Sequence, residues 1–414
     1  MKRNYYIVAL IMLIFFVISF LTNVIGPLIP DIIKGFDLSL TLVALLPFAF
    51  FIAYGVMSIP SGMLIEKYKE KKVMIAAFVI AFFGSLLLAL APNYLTAVLS
   101  LFLIGCGMAM LQVVINPLLR TSGGEEHYAF NSVLAQLIFG LASFLSPLVY
   151  SYMVSALSKN QDSTFSKLVP ANLPWISLYW LFTVICFLMI IVIALSKFPT
   201  VQLNKEEKAG PLQTHIQLFK NPKVTLFFVA MICYVGTEQG VANWISQFLS
   251  TYHGYDPQTT GAENVAYFWG LMTAGGVVGL LLLKIMDSRK VLVIFTILAL
   301  VSLTMALFGS ASIALVAFPL VGFFASVMYP IIFSLALNSV EEHHGSFSGI
   351  IVTGIIGGAI VPLIIGWIGD HAGLRTGMLF LYLTMGYILS IGFWAKPIIT
   401  NKTIKLFRKK ENTV

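Results

Sequence analysis

The chain is predicted to be an all-α membrane protein of twelve transmembrane helices in two six-helix bundles, and three features carry that prediction. The first is composition: of 414 residues, 59% are hydrophobic and 10% charged, against about 25% charged in a soluble domain. The second is the recurrence of apolar runs long enough to cross hydrocarbon, which takes about 20 helical residues with every backbone group bonded internally. The third is an internal repeat. Asn116-Pro117 is followed by Arg120, Glu125-Glu126-His127 and an apolar run carrying Pro147; Tyr329-Pro330 is followed by Glu341-Glu342-His343 and a run carrying Pro362, offset by close to half the chain. A phrase repeated at that distance points to two related halves in parallel orientation, with a ligand site between them.

Taken in order, the spans are expected at residues 5–29, 40–65, 73–91, 94–119, 128–155, 175–196, 223–250, 262–285, 290–308, 312–338, 346–368 and 376–395. The first follows Met1-Lys2-Arg3, but it is too long for a signal sequence and no small-x-small cleavage site follows, so it reads as a retained helix. The outer loop at 156–174 shows no chemistry. The segment at 197–222, with Lys205-Glu206-Glu207-Lys208, reads as a solvated linker. The expected organisation is therefore a bundle at 1–196, a linker at 197–222, a second bundle at 223–396 and a tail at 397–414. Glycines inside spans, among them Gly105, Gly107, Gly275, Gly276, Gly279, Gly354, Gly357 and Gly358, suit close helix packing or bending.

Orientation follows from the cations, because cytoplasmic connections hold the excess of Lys and Arg. With both termini cytoplasmic, all 25 Lys and Arg lie inside except Lys34, Lys159, Lys167 and Arg375. The expected location is the cytoplasmic membrane. The net charge of +8 is spread along that rim and the tail, where it contacts anionic headgroups, so nucleic acid is not an expected partner. Cys106, Cys186 and Cys233 fall inside spans without metal-ligand spacing and read as packing residues.

At Tyr329-Pro330-Ile331-Ile332-Phe333-Ser334-Leu335-Ala336-Leu337, and at Gly354-Ile355-Ile356-Gly357-Gly358-Ala359-Ile360-Val361-Pro362, the sequence resembles the fucose permease type of major facilitator transporter. Asn116-Pro117-Leu118-Leu119-Arg120, with Glu125-Glu126-His127 and Leu134-Ala135-Gln136, is similar to that family's N-P-x-x-R, E-E-H and L-A-Q stretch. Tyr234-Val235-Gly236-Thr237-Glu238 is similar to its Y-V-G-x-E or Y-V-G-x-Q segment. Gly275 to Gly279 with Arg289-Lys290 is similar to its G-R-F-x-G and R-K, without the arginine and phenylalanine. The resemblance runs from the first span to the twelfth and implies the major facilitator fold and symport of fucose, galactose or glucose with a proton.

The general facilitator signature after the second span, G-x-L-x-D-R-x-G-R-K, survives in part. Gly62, Leu64, Glu66, Lys67 and Lys71 fit, while Lys69 and Glu70 stand where glycine and a basic residue are usual. Gly62, Glu66, Lys67 and Lys71 are the expected conformational latch, ion pairs made in one state and broken in the other; a solvated loop is the alternative. The resemblance also implies a proton-linked aspartate in the first span and a glutamate in the fourth. Alignment on Phe15-Phe16 and Pro30 puts Gly26, or nearby Asn23, at the first, and Asn116-Pro117 puts Gln112 at the second. Neither titrates in a useful range.

Candidate site residues follow from polarity inside the spans, where an ionisable group marks function. Glu238 is expected to be the one carboxylate well inside a span and is the coupling candidate, able to carry a proton, hold a cation or bond a solute hydroxyl; a structural glutamate is the alternative. Gln239, Asn243 and Gln247 recur four apart as one polar stripe beside Trp244, with Glu238 about 100° away. Gln112 and Asn116 share a side of the fourth span, and Gln136 lies in the fifth. Amides with aromatics suit a sugar, whose hydroxyls pair with donors and acceptors and whose apolar face stacks on a ring. The expected substrate-binding set is Asn23, Gln112, Asn116, Gln136, Glu238, Gln239, Asn243, Trp269 and Tyr329; for each amide an interhelical bond, and for each ring plain packing, is the competing role. His127 and His343 beside paired acids fit charge compensation at helix N-termini better than a metal site.

The functional expectation is a secondary active or facilitative transporter of a small neutral polar solute, a monosaccharide, working by alternating access. A proton or sodium ion is the possible co-substrate, and a monomer is expected. No catalytic residue, metal or cofactor is expected and the chain is not read as an enzyme. The alternative is an exporter of amphiphilic or drug-like compounds, which 33 Phe and 16 Met would also suit. A non-transporting membrane sensor is less favoured, because no added signalling domain is visible.

Overall fold

The computed structural model describes residues 4–159, 166–199, 212–340 and 344–398, without the side chains at 59, 66, 125, 128, 129, 158, 212–215, 344 and 345. Among the described residues every element is helical, and twelve helices are long and apolar enough to cross a membrane. They are span 1 (Tyr5–Phe36), span 2 (Leu40–Ser58, its helix continuing to Tyr68), span 3 (Glu70–Leu90), span 4 (Tyr94–Gly123), span 5 (Phe130–Leu157) and span 6 (Pro174–Leu195). The second set is span 7 (Pro222–His253), span 8 (Pro257–Ile285), span 9 (Ser288–Phe308), span 10 (Ala311–Leu337), span 11 (Ser346–Ala372) and span 12 (Leu374–Trp394). A short helix, Leu212–Phe219, precedes span 7.

Proline chemistry shapes two of these helices in the same way. Helix Tyr5–Thr22 ends at Asn23 and restarts at Ile25, while helix Ala311–Ala325 ends at Ser326 and restarts at Met328. Pro27 and Pro330 stand four residues after Asn23 and Ser326, so each ladder loses its bond at that carbonyl. Proline is tolerated in the first turn of the restarted helix, where an N–H has no intrahelical partner anyway. Span 1 therefore continues past Pro30 to Phe36 rather than ending near residue 29. That extension carries Asp31 into the membrane helix, 9% exposed, so Glu238 is not the one carboxylate within the spans.

Six helices pack into each bundle through small residues. A Cβ on Gly105 of span 4 would overlap the Phe50 carbonyl of span 2, and Gly107 lies as close to Ala77 of span 3. Gly276, in contrast, faces open space. Cys106, Cys186 and Cys233 are buried among apolar neighbours, which suits the packing role expected of them.

The bundles meet along three glycine-bearing seams: span 1 against span 7 at Gly26 and Ala242, span 2 against span 11 at Leu40, Ala44, Gly366 and Gly369, and span 5 against span 8 at Gly140 with Thr273 and Gly270 with Phe144. Polar contacts between the bundles gather at one end. Asp370 of span 11 accepts from the backbone N–H of Leu40 (2.8 Å) and Thr41 (2.8 Å) and from the Thr41 hydroxyl. Asp31 of span 1 accepts from Gln258 at the start of span 8, at 3.1 Å to each oxygen. The structure is thus closed at the end holding Asp31, Asp370 and Gln258, opposite the lysine-bearing connection between spans 2 and 3.

Because Gly105 has no room for a side chain, Gly105→Val is expected to destabilise the fold by about 1–3 kcal/mol through overpacking. Gly276→Ala should be nearly neutral. Thermal unfolding of the purified protein in detergent, followed by size-exclusion chromatography, separates the two outcomes.

Candidate functional site

Span 7 carries the densest polar constellation, at its mid-depth. The Tyr234 hydroxyl, one turn before Glu238, donates to Glu238 Oε2 at 2.5 Å, and Gln239 Nε2 donates to Glu238 Oε1 at 3.2 Å. Helical geometry sets Gln239 about 100° from Glu238, yet the long amide reaches round and bonds it. Tyr329 of span 10 packs its ring 5.8 Å from that of Tyr234 and 6.0 Å, nearly parallel, from Phe333. The structure therefore brings Glu238, Gln239 and Tyr329 together, and adds Tyr234, which the motif reading quoted without giving it a role. Both Glu238 oxygens are met by neutral donors. Such a carboxylate is poised to exchange one of those donors for a proton or a solute hydroxyl.

Two further expected residues present donors with no protein partner. Asn243 is 3% exposed and Trp269 5% exposed, and neither Asn243 Nδ2 nor Trp269 Nε1 has a hydrogen-bond partner among the described residues. Asn243 lies at the seam where span 7 meets Gly26, and Trp269 precedes Gly270, which packs on Phe144 of span 5. An unpaired buried donor costs about 1–3 kcal/mol, and both of these lie beside the bundle seams. Trp244 is fully buried with its Nε1 likewise unpartnered.

Asn23 has a different setting. It caps the first helix segment of span 1, and its amide donates to Ser143 Oγ (2.8 Å) and Ser19 Oγ (3.3 Å); the two serine hydroxyls are 2.7 Å apart. Its donors therefore tie span 1 to span 5 within the first bundle. Gln112 is half-buried, Asn116 and Gln136 are exposed, and Asn116 Nδ2 reaches the Gln112 carbonyl at 3.4 Å. All three lie on the half of their spans toward the lysine-bearing end. Exposed amides at that depth fit a water-filled cleft entered from that end better than a lipid-facing surface.

Of the expected latch, Lys71 bonds the Ala194 and Ser196 carbonyls at 2.7 and 2.9 Å, capping span 6 within its own bundle. Lys67 sits over the Tyr68 ring at 5.2 Å, and no atom crowds Gly62. Glu66's side chain lies outside the described residues, as do Glu341, Glu342 and His343. Glu125–His127 form a single 3-10 turn leading into span 5. The intramembrane carboxylate the sequence reading missed is Asp31, away from this cluster and held by the Tyr150 hydroxyl at 2.6 Å as well as by Gln258. Its only signal was a lone carboxylate directly after Pro30, where the run seemed to stop.

The sequence profile of the Major Facilitator Superfamily matches residues 11–355. The chain is 31% identical over 398 residues to a glucose/galactose transporter of Brucella abortus biovar 1 (strain 9-941), covering 94% of each chain. It is 27% identical over 397 residues to the L-fucose-proton symporter of Escherichia coli (strain K12), covering 90% of this chain and 89% of that one. Among solved structures it is similar to a bacterial homologue of the human lysosomal transporter Spinster in its inward-facing, occupied conformation, with TM-score 0.79 at 13% identity over 94% of this chain and 96% of that one. At that identity the likeness concerns the fold.

Since Asn23 bonds two serines across spans 1 and 5 while Asn116 is exposed, the substitutions should separate. Asn23→Leu is expected to cost about 1–2 kcal/mol of stability, and Asn116→Ala less than about 0.5 kcal/mol. Melting temperatures in one detergent check both.

Proposed function

The chain belongs to the Major Facilitator Superfamily, and on that premise we propose that it carries a monosaccharide across the cytoplasmic membrane, in symport with a proton, by rocking two bundles bounded near residues 196 and 223. The observation that carries this reading is the cluster of Glu238, Gln239, Tyr234 and Tyr329 at the mid-depth of span 7. It joins one carboxylate to amides and aromatic faces, the chemistry that receives a neutral polyhydroxyl ring. Asn243 Nδ2 and Trp269 Nε1 supply further donors, and Gln112, Asn116 and Gln136 line the approach. The named activities of the Brucella and Escherichia relatives support the same solute class.

Glu238 is the proposed coupling group. In its ionised form it accepts from both Tyr234 and Gln239; a proton on it removes one acceptor and frees the Gln239 amide for a solute hydroxyl. Solute and proton then bind better together than either alone, which is the thermodynamic content of symport. This arrangement stands in for the acids that Gly26 and Gln112 replace. Both Glu238 oxygens being taken by donors favours a proton over sodium, which needs a cage of oxygen ligands. With the lysine-bearing end taken as cytoplasmic, both termini are inside, the closed end is external and the structure is inward-facing. One chain supplies both bundles, so a monomer suffices.

Proteoliposomes given labelled glucose, galactose or fucose should take up at least one of them saturably, and accumulate it when the medium is made acidic relative to the lumen. Absence of uptake of every sugar, with efflux of apolar cations instead, would replace this reading with that of an exporter. Glu238→Gln is expected to abolish gradient-driven accumulation while exchange across the membrane stays within a few-fold of the parent; unchanged accumulation would remove Glu238 from coupling. Asn243→Ala and Trp269→Phe should each lower transport efficiency about tenfold, the effect of one hydrogen bond worth about 1.4 kcal/mol.

A further inference from the structure

We infer that Asp31 and Asp370 are paired clasps that hold the two bundles shut at the end away from the solute cleft, and so set how often that end opens. The inference rests on the alternating-access reading above but not on which solute is carried.

The two carboxylates are arranged crosswise. Asp370 belongs to the second bundle and takes its donors from the first: the N–H groups of Leu40 and Thr41 and the Thr41 hydroxyl. These N–H groups open span 2, where a helix has no internal acceptor for them and a carboxylate is favoured by the helix dipole. The span's own cap, Ser39, accepts from Leu42 N at 3.3 Å, and its hydroxyl bonds Asp370 as well. Asp370 therefore completes from across the seam a cap that the first bundle leaves unfinished. Asp31 belongs to the first bundle and accepts both of its 3.1 Å contacts from Gln258 of the second. Each partner is aimed from its own side: Tyr150 holds Asp31 at 2.6 Å, and Asp256 Oδ1 accepts from the Gln258 backbone at 3.2 Å.

Neither aspartate belongs to the solute cluster. Asp31 stands eight residues beyond Asn23, about 12 Å along the helix at 1.5 Å per residue, and Asp370 lies near the end of span 11. Beyond the clasps the seams place glycines against the backbone and small side chains of the other bundle, such as Ala242, Ala44 and Thr273. On opening, both carboxylates and their donors trade each other for water, so the net stabilisation per bond is small compared with its strength in isolation. Clasps of that kind close an interface without locking it, which a cycling transporter requires.

The test uses the full chain with Cys106, Cys186 and Cys233 changed to alanine and Ala44→Cys as reporter. Ala44 is fully buried against Gly366 in the seam between spans 2 and 11, so a membrane-impermeant maleimide reaches it only when that seam parts. Asp31→Leu and Asp370→Ala should each raise the labelling rate about tenfold, and the double variant should multiply the two. Gln258→Leu should add nothing in the Asp31→Leu background, since it removes the other half of the same clasp. Labelling within twofold of the parent in both single variants and the double, or Gln258→Leu acting additively on Asp31→Leu, would overturn the proposal. If a variant is not monodisperse, Asp31→Asn and Asp370→Asn replace it, with a smaller rise of about threefold expected and no rise counting against the clasps. Labelling needs no solute, so a failure of sugar uptake leaves this result intact, while normal uptake with unchanged labelling removes the clasps alone.

Discussion

In hydrocarbon an unpaired backbone amide or carbonyl costs several kcal/mol, and the rest of this structure is arranged around that constraint. It makes every described element a helix, and it decides where a helix can be interrupted. Span 1 breaks after Asn23 and span 10 after Ser326 because Pro27 and Pro330 remove the N–H groups those carbonyls would have bonded. Both breaks face protein rather than lipid. Around the first, Ser19, Asn23 and Ser143 form a small polar network between spans 1 and 5. Asn23, a solute-binding candidate on sequence alone, is thereby engaged in holding two helices together.

The same constraint separates contacts that persist from contacts that must be remade. Inside a bundle, glycines such as Gly105 and Gly107 let backbones approach until no side chain fits, and the resulting dispersion is collectively large. Between bundles the close approach is confined to seams, and its polar component sits at the closed end on Asp31 and Asp370. Water can take over those bonds there as the seam parts. At the other end Lys71 is engaged with the carbonyls closing span 6 of its own bundle.

Polar chemistry is divided unequally between the halves. At mid-depth the first half holds amides where the resemblance leads one to expect acids, and the second holds Glu238 with Tyr234 and Gln239; the first half's buried carboxylate, Asp31, sits at the closed end instead. A duplicated architecture permits this, because a site between two halves needs a titratable group from only one of them.

Residue types and their order were enough to determine twelve membrane helices, a two-bundle arrangement and family membership, because hydropathy and motif spacing act locally along the chain. The amide and aromatic candidates could be listed in the same way, but not sorted. Three-dimensional packing decided that Glu238, Gln239, Tyr234 and Tyr329 meet, that Asn243 and Trp269 keep unpaired donors, and that Asn23 is engaged within its bundle. Asp31 shows the limit most plainly. After Pro27 and Pro30 its run reads as finished, and only when the helix is seen to restart at Ile25 and continue to Phe36 does that carboxylate fall between Tyr150 and Gln258. Such partners, more than a hundred residues away in the chain, are chosen by how the bundles pack against each other, and no local pattern records that choice.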